Sequence, residues 1–325
     1  MGVTFSQFFP PRPTLTEVNL PSQKGRVFIV TGGASGVGFE LCKILYQAGG
    51  KVYLAGRSPR GARLAATRIK AIVCDDPGEF NFLYLDLQDL KTIRPAVEAF
   101  TAAESRLDVL FNNAGVFKPP QGSVSAQGHE LQIATNCLGP YLFTQLLMPI
   151  LASTAQSSPS AAVRIVWTST LLVDMSAPTG GGITAETLSK VMITDPSTNY
   201  TTSKTGNWFL AKFFSDQLSK HGILSITQNP GNLATQSLRH LHWIMPYLMA
   251  PLSHDPKFGA YTELYAGISN DLSLEDGGSY IIPWGRKHPS PRADILNAMK
   301  SEGEGRSGAV QLFIDWCDKL TEEFR

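Results

Sequence analysis

Tyr200-Thr201-Thr202-Ser203-Lys204 sets a phenol and an ammonium four residues apart. On a helix that spacing stacks the two side chains one turn apart on one face, so the Tyr200 hydroxyl and the Lys204 ammonium can share a pocket. A phenol is a poor acid-base group near neutral pH until a neighbouring cation lowers its pKa, and Lys204 is that cation. Both residue types are common on helix surfaces, so the pair gains meaning only from the elements around it.

The element with the clearest use lies near the start. Val27-Phe28-Ile29-Val30 is a short β-branched apolar run that reads as a strand covered on both faces. Thr31-Gly32-Gly33-Ala34-Ser35-Gly36-Val37-Gly38 follows, and Phe39 to Leu45 carries apolar residues at helical spacing until Gly49-Gly50 stops it. The glycines therefore sit where a strand turns into a helix. Unpaired N–H groups at such a helix start attract phosphate if no side chain blocks the approach, and Gly32, Gly36 and Gly38 give that clearance. A pyrophosphate is the expected guest, which makes the loop from Thr31 through Ser35 and Val37 to Gly38 a candidate dinucleotide site.

Six further strands are expected, at Lys51 to Ala55, Phe80 to Leu85, Leu107 to Phe111, Val163 to Trp167, Leu224 to Gln228 and Ser279 to Ile282. Helical segments over Leu90 to Glu104, His129 to Leu151 and Ser203 to Lys220 alternate with them. This pattern predicts an α/β fold, a doubly wound parallel sheet of about seven strands with helices on both faces. Ser153 to Ala162 reads as a polar connection and Asp174 to Asn199 as a long loop containing Gly180-Gly181-Gly182. The chain of 325 residues, 43% hydrophobic and 17% charged, suits a single globular domain over 1–325, with an irregular arm over 1–24. A net charge of +1 gives no long-range field toward nucleic acid or anionic membrane. Cys42, Cys74, Cys137 and Cys317 lie far apart without a CxxC pair, which argues against a metal site or a disulfide framework and fits the cytoplasm. Pro10-Pro11 and Pro13 interrupt the start before any signal or anchor length is reached, so no integral membrane segment is expected.

The end of the second strand bears on which dinucleotide would bind. An acid there would hold a ribose 2′-hydroxyl, whereas Arg57-Ser58 presents a cation and a hydroxyl to a 2′-phosphate, favouring NADP(H). The alternative is a solvated surface arginine. Asp86, after the third strand, would hydrogen-bond an adenine amine or simply cap the next helix.

With these residues in view, the sequence resembles the short-chain dehydrogenase/reductase superfamily across nearly all of its sheet-forming part. Thr31-Gly32, Gly36 and Gly38 match its TGxxxGxG loop, Asn112-Asn113-Ala114-Gly115 its NNAG segment, and Tyr200 and Lys204 its YxxxK. Asn136 in Thr135-Asn136-Cys137-Leu138-Gly139 matches the helix asparagine of the catalytic set, and Pro230-Gly231 with Thr235 matches PGxxxT. Asn207 to Leu210, Gln228 to Leu233 and Tyr280 to Gly285 further resemble a fungal branch frequent in secondary metabolism. The family's catalytic serine has no plain counterpart. Thr170 of Trp167-Thr168-Ser169-Thr170 falls in its slot, and Ser169 would take the role if the strand end were shifted by one.

The resemblance implies a division of labour. The glycine loop, Asn113, Ala114, Gly115, Arg57, Ser58 and Asp86 would hold the cofactor, with Lys204 on the nicotinamide ribose and Pro230, Gly231, Leu233 and Thr235 on the carboxamide. Tyr200 would pass the proton, Thr170 or Ser169 would steady the substrate oxygen, and Asn136 would hold a relay water. Alternatively, Asn136 only satisfies backbone groups at a helix kink. Residues 236–258 contain Trp243, Ile244, Met245, Tyr247 and Met249 where the family places its substrate cover, suggesting a lid for a small lipophilic or aromatic molecule. Many relatives pair through the helices holding Asn136 and Tyr200, so homo-oligomerisation stays open. A non-redox isomerase, dehydratase or cyclase, and a nucleotide-sensing binding protein, are the competing readings.

Overall fold

The computed structural model describes residues 2–71, 76–234, 252–300 and 308–325. Its centre is one eight-stranded sheet in the order β3-β2-β1-β4-β5-β6-β7-β8. The strands are β1 (Val27–Thr31), β2 (Lys51–Gly56), β3 (Glu79–Tyr84), β4 (Val109–Asn112), β5 (Val163–Thr168), β6 (Ile223–Gln228), β7 (Tyr280–Ile282) and β8 (Arg286–Lys287). The first seven run parallel, and β8 folds back antiparallel on β7. β8 is an eighth strand beyond the seven expected. It is two residues long, too short to leave a periodic signal.

Burial explains why β1 reads as apolar throughout. All five of its residues are buried between helix layers, as are all six of β5 and of β6. The longer helices are α1 (Gly36–Gln47), α2 (Pro59–Lys70), α3 (Ile93–Ala103), α4 (Leu131–Gln156), α5 (Pro196–Leu218), α6 (Pro256–Ile268) and α7 (Ala309–Thr321). One apolar layer joins α3, α4, α5 and α7 to the sheet through Phe100, Tyr141, Phe209 and Phe313; the other joins α1 and α6 through Leu41, Leu45 and Leu264. The result is a doubly wound Rossmann-type fold. Strand order reverses between β1 and β4, so the segments leaving their C-terminal ends lie side by side, where such sheets bind ligands.

Several connections differ from expectation. The arm is not wholly irregular, because Val3–Phe8 forms a short helix with Gln7 buried in it. The stretch from Asp174 to Asn199 is interrupted by the helices Leu172–Ser176 and Ala185–Lys190. Its end belongs to α5, which starts well before Ser203 because Asp195 caps it through Ser197 and Thr198, with Pro196 in the first turn. α4 runs to Gln156, into the supposed Ser-rich connection. It is long and apolar enough to cross a membrane by length and composition, but most of it is buried in the protein. In α7, Phe313 is buried in the core, whereas Leu312 is about one-third exposed. Of the proposed lid over 236–258, residues 236–251 lie outside the described residues, and α6 begins inside its last part.

Candidate active site

The glycine loop is pinned by the segment after β4. Asn113 Nδ2 donates to the Thr31 carbonyl at 2.7 Å, and the Ala114 N–H donates to Thr31 Oγ1 at 3.0 Å. The glycines serve different ends. Gly32 and Gly36 have left-handed backbones, at φ 71° and 57°. At Gly38 a Cβ would meet Asn113 Nδ2 at 2.6 Å and the Gly32 carbonyl at 2.9 Å, so its missing side chain lets the loop pack against α1. Ser35 is the N-cap of α1 but makes no side-chain capping bond, and the first turn carries no acid. That leaves the partial positive charge of the helix start without a side-chain counter-charge of its own.

At the end of β2, Arg57 is exposed and donates from one terminal nitrogen to Gln88 Oε1 at 2.7 Å. Ser58 Oγ accepts the Gly61 N–H at 3.0 Å as the N-cap of α2, which leaves its own proton to donate. Asp86 is not a helix cap. That role falls to Asp89, and Asp86 Oδ1 instead accepts the Gln88 N–H at 3.0 Å. Gln88 thus ties Arg57 to the Asp86 turn.

Tyr200 and Lys204 share one face of α5 as their spacing requires, with Lys204 Nζ 5.9 Å from the Tyr200 ring centroid. Lys204 is buried and donates to the Thr168 carbonyl at the end of β5, at 2.9 Å. Burial lowers its pKa to about 8, against the nearby Glu263 carboxyl, which favours the cation. Burial pushes the Tyr200 phenol up to about 12, and the Thr170 hydroxyl acts in the opposite direction. Phe117 packs edge-on against the Tyr200 ring, with centroids 4.5 Å apart.

The two hydroxyls at the end of β5 separate clearly. Ser169 Oγ is buried and donates to the Lys204 carbonyl at 2.9 Å, facing the backbone of α5. Thr170 meets Tyr200. It is held there by Tyr280, whose hydroxyl donates to the Thr170 carbonyl at 2.7 Å and accepts its N–H at 3.1 Å. Asn136 lies in a π-helical segment, Ala134–Leu138, within α4. Its Oδ1 accepts the Val116 N–H at 2.7 Å, and its Nδ2 donates to the Val116 carbonyl and to Ser203 Oγ. Asn136 thus does satisfy backbone groups, but those of Val116 in the segment after β4 rather than those of a kink in its own helix. Next to it, a Cβ on Gly115 would stand 3.1 Å from Lys204 Nζ and 3.2 Å from Asn136 Oδ1.

The loop after β6 closes the other side. Gly231 has φ 93°, and its N–H donates to Asn229 Oδ1 at 3.0 Å. Pro230, Leu233 and Val37 converge on Gly259 of α6, where a Cβ would clash with Leu233 at 2.4 Å and Val37 at 2.9 Å. Leu233 also bridges to His254. Thr235 lies outside the described residues.

Sequence reading missed the residues that hold the reactive ones. Ser203 was visible inside the Tyr200–Lys204 stretch, but its bond to Asn136 depends on the fold. Glu263 left no local signal. It is buried on α6 behind the strand ends, accepting from Thr168 Oγ1 at 3.1 Å and Gln228 Nε2 at 3.2 Å. Burial pushes its carboxyl up to about 8, although the Thr168 hydroxyl and Lys204 favour the charged form. A carboxyl whose folded-state pKa is raised favours the fold most below its unfolded pKa, and loses that contribution as pH rises toward the folded value. Glu263→Gln keeps the acceptor and cannot ionise. Its thermal midpoint relative to the parent is expected to climb by several degrees between pH 5 and pH 9; a pH-independent difference in calorimetry contradicts the buried carboxyl.

Comparison with known proteins agrees with this arrangement. Residues 26–178 match the family described as short chain dehydrogenase. The chain is 42% identical over 324 residues to the short-chain dehydrogenase/reductase iacJ of Pestalotiopsis fici, covering 97% of this chain and 96% of that one. It is 40% identical to the short-chain dehydrogenase/reductase bet4 of Neocamarosporium betae, covering 98% and 93%. Among solved structures, the Pseudomonas aeruginosa RhlG/NADP active-site complex has a TM-score of 0.63 at 22% identity, over 82% of this chain and 98% of that one. The 3-ketoacyl-(acyl-carrier-protein) reductase of Brucella melitensis complexed with NADH has 0.62 at 20%, over 81% and 98%. These two share the fold. Likeness to the fungal proteins spans nearly the whole chain, and the chain belongs to the short-chain dehydrogenase/reductase family, as an oxidoreductase for a nicotinamide cofactor.

Proposed function

We propose that this protein is an NADP(H)-dependent reductase, or in reverse an alcohol dehydrogenase, for a carbonyl on a small, mostly apolar molecule in fungal secondary metabolism. The observation that carries the reading is the buried Lys204, which shares a face of α5 with Tyr200 and donates to the Thr168 carbonyl two residues before Thr170. The names and hosts of the fungal relatives support the metabolic setting.

The residues present fit a dinucleotide. Space a Cβ would fill lies beside Lys204 Nζ at Gly115, and the start of α1 lacks an acidic or capping side chain. The adenine half would lie on Gly32, Ser35, Gly36, Val37 and Gly38, with Arg57 and Ser58 toward a 2′-phosphate and Asp86 toward the adenine. Asn113, Ala114 and Gly115 would flank the middle, and Pro230, Gly231, Leu233 and Thr235 would hold the carboxamide.

When bound, the nicotinamide supplies or accepts the hydride. Tyr200 donates the proton to the carbonyl oxygen in reduction, and the Thr170 hydroxyl, with one proton to give, steadies that oxygen as charge develops. Thr170 is preferred over Ser169 because the Ser169 proton is already committed to the Lys204 carbonyl. Lys204 would hold the cofactor ribose, while Asn136 holds the turn at Val116 and braces Ser203. Apolar Phe117 beside Tyr200 suits an apolar substrate.

α7 packs on α5 through Phe313 and Phe209, and on α4 through Asp318 and Tyr141, covering part of the face by which many relatives pair. The reading is of an enzyme in one domain, with homo-oligomerisation left open. Titration of the protein with NADPH and NADH tests the cofactor: tighter NADPH binding is expected, and equal or inverted affinity overturns the assignment.

A further inference from the structure

The arm contributes one side chain to the interior beside the site. Gln7 is only 1% exposed, although it is the seventh residue of the chain, in the helix Val3–Phe8. A buried carboxamide is costly unless both of its ends are paired, and both are. Its Oε1 accepts from Asn229 Nδ2 at 2.9 Å, and its Nε2 donates to Asp174 Oδ2 at 3.1 Å. Asn229 immediately precedes the Pro230-Gly231 turn, and Asp174 lies four residues after Thr170. One amide thus joins the two segments that leave β5 and β6 beside the site.

The direction of every bond in this chain is fixed. Gly231 N–H donates to Asn229 Oδ1, so Asn229 Nδ2 faces Gln7 and must find an acceptor there. Turning the Gln7 amide over would set two NH2 groups against each other at one end and an oxygen against the Asp174 carboxylate at the other. His288 Nε2 completes the set on Asp174 Oδ2 at 2.9 Å, and with its Nδ1 accepting the Ser290 N–H it is Nε2 that donates to Asp174. The arm is also held at two further points: Arg286 donates to the Ser6 carbonyl at 2.7 Å, and His254 Nε2 meets the Phe8 carbonyl at 2.9 Å. Gln7 is therefore seated by its neighbours as well as by its own bonds.

We propose that Gln7 is a positioning residue for the cofactor: acting through Asn229, it holds the Gly231 turn in the shape that receives the nicotinamide end of the dinucleotide. The inference rests on the reading of Pro230-Gly231 as the nicotinamide-side loop. Without the Gln7 oxygen, Asn229 Nδ2 loses its partner inside the protein and the side chain that restrains Gly231 is free to turn. The start of α1 and Arg57, at the adenine side, lie on segments that Gln7 does not bond.

The test uses two probes on the full-length protein: NADPH, which spans both halves of the site, and adenosine 2′,5′-bisphosphate, which has no nicotinamide. Gln7→Ala is expected to weaken NADPH about tenfold, the loss of one to two buried hydrogen bonds, and to leave the bisphosphate within twofold of the parent. Gln7→Met, which keeps the length and apolar volume of the side chain, is expected to behave alike and carries the test if the alanine variant does not fold. Unchanged NADPH affinity overturns the proposal, and so does a parallel loss of both ligands, which would mark Gln7 as a general anchor of the arm. Failure of the parent to bind NADPH would instead overturn the proposed function itself.

Discussion

Tyr200→Phe is expected to lower turnover about a thousandfold while leaving NADPH affinity within a factor of two or three. The substitution removes one oxygen and keeps the ring, so the edge contact with Phe117 and the packing of α5 survive. What is lost is the proton donor facing Thr170. Lys204 remains on the Thr168 carbonyl and would still be placed to hold a bound ribose, so binding is expected to hold while chemistry fails. Steady-state kinetics beside a fluorescence titration separate the two effects. Turnover within tenfold of the parent would assign the proton transfer to another group.

The second large effect is on cofactor choice. Arg57→Asp is expected to weaken NADPH on the order of a hundredfold and to leave NADH unchanged or tighter. Arg57 spends one nitrogen on Gln88 and retains further donors for a phosphate, and an aspartate there would both remove them and repel the 2′-phosphate while suiting a ribose hydroxyl. The Ser58 hydroxyl, oriented by Gly61, would keep part of the affinity. A preference that does not move under this substitution would make Arg57 an ordinary surface cation.

Much of this architecture was legible because buried parallel strands impose a local signature. The positions of β1, β2 and β4 to β6 follow from short, largely buried apolar runs, whereas β3 is partly exposed at the sheet edge, and the glycine loop follows from where it falls between strand and helix. Tyr200 and Lys204 were legible for a similar reason, since a helix turns spacing into a shared face. Groups brought together across the fold were not legible. Glu263 is distant in sequence from Lys204, and nothing local distinguishes a glutamate that will be buried behind a sheet from one on a helix surface. Gln7 sits in a proline-rich arm that reads as surface, and it is buried only because Asn229 and Asp174 supply matching partners. The choice between Thr170 and Ser169 turned on a single residue of strand register, and the bond from Ser169 to the Lys204 carbonyl, which supports the proposal of Thr170, joins groups 35 residues apart and left no local signal.

The central claim is that this site moves a hydride from a reduced nicotinamide to a carbonyl. Its most direct test is the nicotinamide absorbance of NADPH incubated with the protein and a panel of lipophilic ketones, aldehydes and quinones, with Tyr200→Phe as control. Loss of absorbance with at least one substrate, matched by formation of the alcohol and abolished in the control, is the predicted result. Consumption of a substrate without any change in that absorbance, or oxidation that persists undiminished in Tyr200→Phe, would contradict the account.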